Sequence, residues 1–459
     1  MKVLLTGATG LVGREVGKEL VRQGHHVFVV SRDRDRALRE IPFPARVIEG
    51  NLAQEPLRED SLQEVEAVIH LAGENISHGR WSSQRKRKIY DSRINSSKNL
   101  ILTLAENKNI KTFISASAVG FYGDRGDEIL NEFSCRGVGF LSEVCQDWEQ
   151  PVLVANRRVE GSSFRSVLLR FGMVLSPFGG ALSKMMIPVR MGLAGCLGEG
   201  CQWMSWIHID DLVQLILNCL TNKEAQGVIN AVSPEAVTNK EFMFTVNQIF
   251  KKKMGPPLPA FILKAFLGEM SQILLYSQRV ESLVIEKLGF KFKFPQLQKA
   301  LEDVTLLWLD GAGVLCHEQY LPGSPEKNFI YFSEVKNFEQ NILPEHKLKV
   351  EFLSAQKVEL GTQIRYRVKV HNLLIHWVTE IKKWQPSVQF EASQVSGPYI
   401  KFQQVHRFEA MGEGTLVIDL IQFRLPLGFF GYLTFGYFIL KEIDVFFQLR
   451  RRRLFQLKF

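Results

Sequence analysis

Val3-Leu4-Leu5-Thr6-Gly7-Ala8-Thr9-Gly10-Leu11-Val12-Gly13 puts three glycines directly behind an apolar run and ahead of a stretch with helical spacing. Strand, glycine turn and helix in that order form a cradle for a dinucleotide pyrophosphate. Gly7 permits the tight turn, Gly10 lets the backbone approach the phosphates, and Gly13 lets the helix pack closely on the strand. The amides of Leu11 and Val12, at the helix start, then face the anion. The surroundings agree: Lys2 to Leu5 reads as a strand, and Val16 and Leu20 mark a helix from Val12 to Arg22. Gly24 closes that helix before a second strand, Val27 to Val30.

The end of that second strand bears on which dinucleotide is taken. An acidic residue there would hold the ribose 2′-hydroxyl of NAD, whereas Ser31-Arg32 stands here, and an arginine suits a 2′-phosphate. NADP(H) is therefore the expected cofactor. Arg34 and Arg36 add positive charge nearby, which also reads as a solvated charge run.

A chain of 459 residues exceeds the usual single-core limit, so two domains are expected. Its 46% apolar and 23% charged residues are ordinary for a soluble globular protein and argue against disorder. The net charge of +9 comes partly from clusters at Arg85 to Lys88 and Arg450 to Arg453. No nucleic-acid motif accompanies them, so no nucleic-acid partner is expected. The six cysteines form no C-x-x-C pair or zinc-type spacing, which fits free thiols in a reducing compartment and no metal. Met1 leads straight into a strand without a secretory pattern, so a cytoplasmic location is expected. The longest apolar stretch, Leu427 to Leu440, is ended by Lys441, Glu442 and Asp444 before the roughly twenty residues needed to span a bilayer.

Further along the first 300 or so residues, Arg46–Glu49, Ala67–Leu71, Thr112–Ser115 and Ser166–Arg170 continue an alternation of short apolar strands and helical segments. That alternation predicts an α/β doubly wound, parallel Rossmann sheet. Ligands on such sheets lie beyond the carboxyl ends of the strands, where two loops fall: His70-Leu71-Ala72-Gly73-Glu74-Asn75-Ile76, and Ser115-Ala116-Ser117-Ala118-Val119-Gly120-Phe121-Tyr122-Gly123.

With the glycine turn, these stretches resemble an extended short-chain dehydrogenase/reductase. The likeness is closest to the atypical, epimerase-family (sugar-nucleotide epimerase-like) subgroup. Further signatures are Leu169-Arg170-Phe171-Gly172-Met173-Val174-Leu175-Ser176-Pro177, Ser205-Trp206-Ile207-His208-Ile209-Asp210-Asp211-Leu212 and Asn230-Ala231-Val232-Ser233-Pro234. The resemblance implies that Ser31 and Arg32 bind the adenosine phosphate, that Leu71 and Ala72 line the cofactor, and that Lys88, Arg93 and Val174 contact it. A guanidinium such as Arg93 can grip a phosphate bidentately, whereas Lys88, in a run of basic residues, also reads as a solvated helix face.

Ordinary members of that family use a Tyr-x-x-x-Lys pair for proton transfer, and this chain lacks it. The corresponding stretch, Phe140-Leu141-Ser142-Glu143-Val144-Cys145-Gln146-Asp147-Trp148-Glu149, leaves Leu141 and Cys145 as the equivalents. Ser117, matching the family's substrate-orienting hydroxyl, and Tyr122, as an acid or as a lid, are the candidate catalytic residues. Glu143 and Asp147, spaced i and i+4, read as a solvated face or a carboxylate pair. His208 reads as a satisfied helix-start histidine or as a catalytic one.

The domains are expected at 1–303 and 304–459, with Glu302 to Gly313 as the connection. Beyond it, Lys347–Val358, Gln363–His371, Leu374–Trp384, Val388–Ser393, Tyr399–Phe408 and Gly414–Phe423 alternate apolar and polar residues, as in a curved antiparallel sheet. A helix from Leu433 to Phe455 follows. The residues His376-Trp377-Val378, Gly397-Pro398-Tyr399, His406-Arg407-Phe408-Glu409 and Arg424-Leu425-Pro426-Leu427-Gly428 resemble the START-like (polyketide cyclase/dehydrase) superfamily. That likeness implies an α+β helix-grip domain around an apolar ligand. Phe429, Phe430, Tyr432, Phe435, Tyr437 and Phe438 followed by four arginines read either as a gripping helix with an exposed basic end or as a peripheral membrane contact. Two functions stand open: an NADP(H)-dependent oxidoreductase or epimerase-like enzyme on an apolar or carbonyl-bearing small molecule, and a non-catalytic NADPH-binding protein with a lipid-like ligand carrier.

Overall fold

A computed structural model describes residues 1–105, 107–158, 164–309, 313–334, 337, 349–355, 357–370, 373–426 and 437–456. They form two compact units, one of residues 1–37 and 45–306, the other of 38–44 and 307–459.

In the first unit, seven parallel strands form one sheet: β1 Lys2–Thr6, β2 His26–Ser31, β3 Arg46–Glu49, β4 Ala67–His70, β5 Thr112–Ala118, β6 Arg165–Phe171 and β7 Gly227–Ala231. Their order is β7-β6-β5-β4-β1-β2-β3, so the winding direction reverses between β1 and β4. A crevice at the carboxyl ends of those two strands follows from that reversal. Helices α1 Leu11–Arg22, α2 Ser83–Leu104 and α3 Phe140–Arg158 connect strands of the sheet. Leu4, Phe28, Ile48, Val68, Phe113 and Leu168 share one buried cluster, the apolar filling of a sheet covered on its faces.

Two strands differ from the sequence reading. β5 runs on to Ala118 because Ala116, Ser117 and Ala118 pair with Leu169, Arg170 and Phe171, although the Ser-Ala-Ser-Ala run lacks the bulky residues that announce a strand. β7 is a strand the sequence does not announce: its five residues complete the sheet by pairing with β6. The expected connection, Glu302 to Gly313, contains the division between the units at Leu306 and Leu307. Glu302 to Thr305 end a helix, Leu297–Thr305, whose Leu301 and Val304 are fully buried, and Gly313 opens a strand. A further helix of this unit, α4 Ala260–Leu267, buries only Leu263.

The second unit is a seven-stranded antiparallel sheet of β8 Gly313–Pro322, β9 Lys349–Leu353, β10 Gln363–Val370, β11 Leu373–Gln385, β12 Gln389–Ser396, β13 Lys401–Met411 and β14 Gly414–Arg424. Its order is β8-β14-β13-β12-β11-β10-β9. Helix α5, Tyr437–Gln456, places Leu454 in a cluster with Phe329, Phe390, Phe408 and Val417, and Phe447 in another with Phe402, Ile421 and Phe423. The basic end of α5 is not the exposed cluster expected. Arg450 is buried beside Asp419, with Nη1 3.5 Å from the carboxylate, over the rings of Phe332 and Phe447, and Arg451 donates to the Glu318 carbonyl. Burial works against the Asp419 charge, yet Arg450 and His406 hold its carboxyl well below the usual carboxylate range. Phe429, Phe430, Tyr432 and Phe435 lie outside the described residues, as do the side chains of Tyr437 and Phe438.

Candidate functional site: the β1–β4 crevice and the β5–α3 junction

The glycine turn is built from backbone packed on backbone. Gly7 takes φ +73°, and a Cβ there would lie 2.7 Å from the Leu71 carbonyl and 2.9 Å from the Ala72 nitrogen. A Cβ on Gly13 would sit 2.2 Å from the Gly7 carbonyl oxygen, and one on Gly10 3.2 Å from the same atom. No side chain caps α1, and its first turn carries no acidic residue. The helix N-terminus therefore offers backbone amides and partial positive charge to an anion, and the residues fit a pyrophosphate.

Neighbouring elements bring most of the expected contact residues to this turn. Cβ atoms placed on Gly179 and Gly180 would lie 3.0 Å from a Leu11 methyl and 3.3 Å from the Val174 carbonyl, so this glycine pair brings Leu11 and Val174 close. Leu71 and Ala72 are fixed by Thr6: the Leu71 amide donates to the Thr6 carbonyl and the Ala72 amide to Thr6 Oγ1, both at 3.2 Å. Thr6 Oγ1 also lies 2.7 Å from Nδ1 of His70, whose Nε2 is 3.1 Å from Ser97 Oγ. His70 is wholly enclosed, and burial lowers its pKa to about 4, so it is neutral at pH 7.

At the end of β2, the Ser31 hydroxyl donates to the Asp33 carbonyl at 2.9 Å, and Arg32 is exposed. The Glu74 carboxyl is held down chiefly by its hydrogen bond from Arg85, with a contribution from the Arg32 charge, which places Arg32 within electrostatic reach of the loop after β4. Arg93 lies beside Gly73, where a Cβ would be 3.1 Å from its guanidinium carbon. It stacks over Trp148 at 5.0 Å and donates to the Ile89 carbonyl. Lys88, on the same helix, is exposed and is not drawn into this group.

At the β5–α3 junction, Leu141 and Cys145 occupy the helix face against Gly120, whose Cβ would lie 3.4 Å from Leu141 Cβ and 3.8 Å from Cys145 Sγ. The Cys145 thiol is pushed up to about 12 by burial, with the Glu149 charge adding to it, so it stays protonated. One turn further on, Glu149 forms a bidentate ion pair with Arg170, Nε to Oε1 and Nη2 to Oε2 both at 2.8 Å, each side chain 4% exposed. Ser117 Oγ donates to Glu149 Oε1 at 2.7 Å. Arg170 Nη1 donates to the Tyr122 hydroxyl at 3.0 Å, and its guanidinium lies over the Phe121 ring.

This network also engages Tyr122. Its hydroxyl lies 2.7 Å from Asn230 Oδ1 and 2.9 Å from the Asn131 carbonyl while accepting from Arg170, and the residue is fully buried. Burial also raises its pKa. Glu143 is exposed and Asp147 accepts a hydrogen bond from Tyr90 at 2.7 Å, so the two are not a carboxylate pair. His208 caps the helix Ile209–Thr221, accepting from the Asp210 amide at 3.1 Å, and its Nε2 lies 3.3 Å from the Asp303 carboxylate.

The sequence reading passes over Glu149, Arg170 and Asn230 as site residues. One signal was available: Arg170 interrupts the apolar run Val167-Leu168-Leu169-Arg170-Phe171, and a charge in a buried strand requires a partner.

Residues 3–231 match the NAD dependent epimerase/dehydratase family. A chloroplastic SDR39U1 homolog of Arabidopsis thaliana, called an epimerase family protein, is 38% identical over 309 residues, 66% of this chain and 86% of that one. The chain belongs to the NAD dependent epimerase/dehydratase family. Another epimerase-family relative, ML0860 of Mycobacterium leprae, is 34% identical over 66% of this chain and 95% of its own. The human epimerase family protein SDR39U1, solved with NADPH, superposes with a TM-score of 0.59 at 30% identity over 67% of this chain and 99% of that chain. In this epimerase-family chain, residues 258–304, which include α4, match a domain of unknown function, DUF1731.

Proposed function

We propose that the first unit of this epimerase-family chain, taken as residues 1–303, is an NADP(H)-binding domain working without a tyrosine proton donor. The observation that carries the reading is the glycine cradle with Ser31-Arg32, not an acid, at the end of β2. Gly7, Gly10, Gly13 and the Leu11 and Val12 amides hold the pyrophosphate, Ser31 and Arg32 take the 2′-phosphate, and Leu71, Ala72, Arg93 and Val174 line the remainder. The human relative's complex with NADPH supports the assignment. When bound, the dinucleotide supplies hydride transfer.

The β5–α3 junction favours cofactor binding without protein-side acid–base chemistry. Leu141 cannot move a proton, the Cys145 thiol is locked neutral, and Ser117 and Tyr122 are engaged by Glu149 and Arg170. Membership of the epimerase/dehydratase family supports a second reading, an oxidoreductase or epimerase acting on a carbonyl-bearing small molecule with Ser117 at its edge. The second unit, residues 304–459, is proposed as a START-like domain for an apolar ligand, supported by an antiparallel sheet packed by α5. A cytoplasmic setting fits the free cysteines.

Titration of the whole protein with NADPH and NADH tests the cofactor. NADPH is expected to bind tighter, and Arg32→Ala to cost at least about tenfold in NADPH affinity while sparing NADH, as loss of a charge-assisted phosphate contact does. Equal affinities in wild type, or an unaffected Arg32→Ala, would overturn the assignment. Steady NADPH oxidation with a carbonyl panel, sensitive to Ser117→Ala, would select the enzyme reading; tight binding without turnover selects the non-catalytic one.

A further inference from the structure

Helix α4 is turned the wrong way round for a surface helix. Phe261 and Phe266 are 72% and 76% exposed, while Leu263 is its one buried residue. Apolar neighbours extend this surface. The backbone of residues 193–198 runs alongside residues 254–258: the Gly255 amide donates to the Ala194 carbonyl, the Leu258 amide to Cys196 and the Gly198 amide to Leu258. Leu193, 56% exposed, and Leu258 thus stand on the ribbon that leads into α4.

Along the chain between two flanking glutamates, the charge is of one sign. Between Glu241 and Glu269 the chain carries Lys251, Lys252, Lys253 and Lys264 and no acidic residue. Lys251 to Lys253 are exposed at the end of the helix Asn239–Ile249, with Lys251 held at φ +53° and the Lys252 stem close to Gly192. Protruding aromatic rings flanked by lysines, with no carboxylate between, match the two layers of an anionic bilayer surface. Rings enter the interfacial zone and ammonium groups stay at the phosphate level. An ordinary protein partner is matched less well, because such interfaces deplete lysine.

We propose that α4 and the Lys251–Lys253 turn form a docking surface for an anionic lipid bilayer. Arg80, in the loop after β4, binds the Ala265 carbonyl, and Lys86 pairs with Glu269 just beyond α4. Docking through α4 therefore holds the loop after β4 close to the lipid, from which an apolar molecule is directly available.

Sedimentation of the full chain with vesicles of phosphatidylcholine, with and without 30% phosphatidylglycerol (a chosen mixture of roughly that content), tests this. Binding is expected only with the anionic lipid, weakening with salt. It should fall at least about tenfold in F261S/F266S and by about fivefold per lysine replaced in K251Q/K252Q/K253Q. NADPH affinity and the thermal transition, which a folding defect would change, are expected to stay as in wild type. No anionic-vesicle binding by the wild type, or binding untouched by F261S/F266S, overturns the proposal. So does a wild-type dimer that these substitutions convert to monomer, since α4 would then be covered by a second copy. If either variant fails to fold, vesicle protection of α4 from hydrogen exchange in the wild type decides, and unchanged exchange there overturns the proposal.

Discussion

The glycine turn and the β5–α3 junction stand at carboxyl ends of the same sheet, yet they are built from opposite materials. At the turn, backbone meets backbone: Gly13 and Gly7 approach so closely that no side chain fits, and the helix end is left without a cap. At the junction, side chains satisfy one another. Glu149, Arg170, Ser117, Tyr122 and Asn230 close a buried network one turn on from Cys145. The first surface is prepared for an outside anion; the second has supplied its own.

Breaking that network should have the largest effect. Glu149→Ala leaves the Arg170 cation buried beside Phe121 and Tyr122, and is expected to lower unfolding free energy by about 3–5 kcal/mol in urea titrations. The same experiment with Ser117→Ala removes one hydrogen bond and should cost only about 1 kcal/mol, with NADPH affinity unchanged. A large loss of NADPH affinity in Ser117→Ala would tie the two regions together and break the contrast.

Gly13→Val probes the turn. Its added Cβ meets the Gly7 carbonyl, so the strand and helix must part, at a cost of about 3 kcal/mol and with loss of NADPH binding. If the variant binds NADPH normally, the turn is not the cradle.

A smaller effect than that of either the Glu149 or the Gly13 substitution is a pH dependence behind the turn. His70 is neutral when folded, with a pKa of about 4 against the ordinary 6.5, so the unfolded chain takes up the proton first. Stability from this group is present above pH 6.5 and is lost as pH falls towards 4, by about 2 kcal/mol between pH 7 and pH 5. Comparing urea midpoints of wild type and His70→Asn across that range checks it: the variant should show the shallower dependence.

Local signals made much of the first unit readable. Glycine spacing, apolar runs and the helical repeat of Val16 and Leu20 report on short stretches of chain, and so do the alternating strands of the second unit. β7 and β8 escaped because neither Gly-Val-Ile-Asn-Ala nor Gly-Val-Leu-Cys-His-Glu-Gln-Tyr-Leu-Pro alternates, and partners elsewhere in the sheet make them strands. Arg450 read as a solvated charge until Asp419 on β14 drew it inside.

From its residues alone the chain settles that a dinucleotide-type turn opens the protein, because steric limits on glycine are local. What a hydroxyl bonds to is settled in three dimensions. Tyr122 and Ser117 find their partners in Asn230, Arg170 and Glu149, residues from β7, β6 and α3, and hydrogen-bond satisfaction among distant segments leaves no trace in spacing.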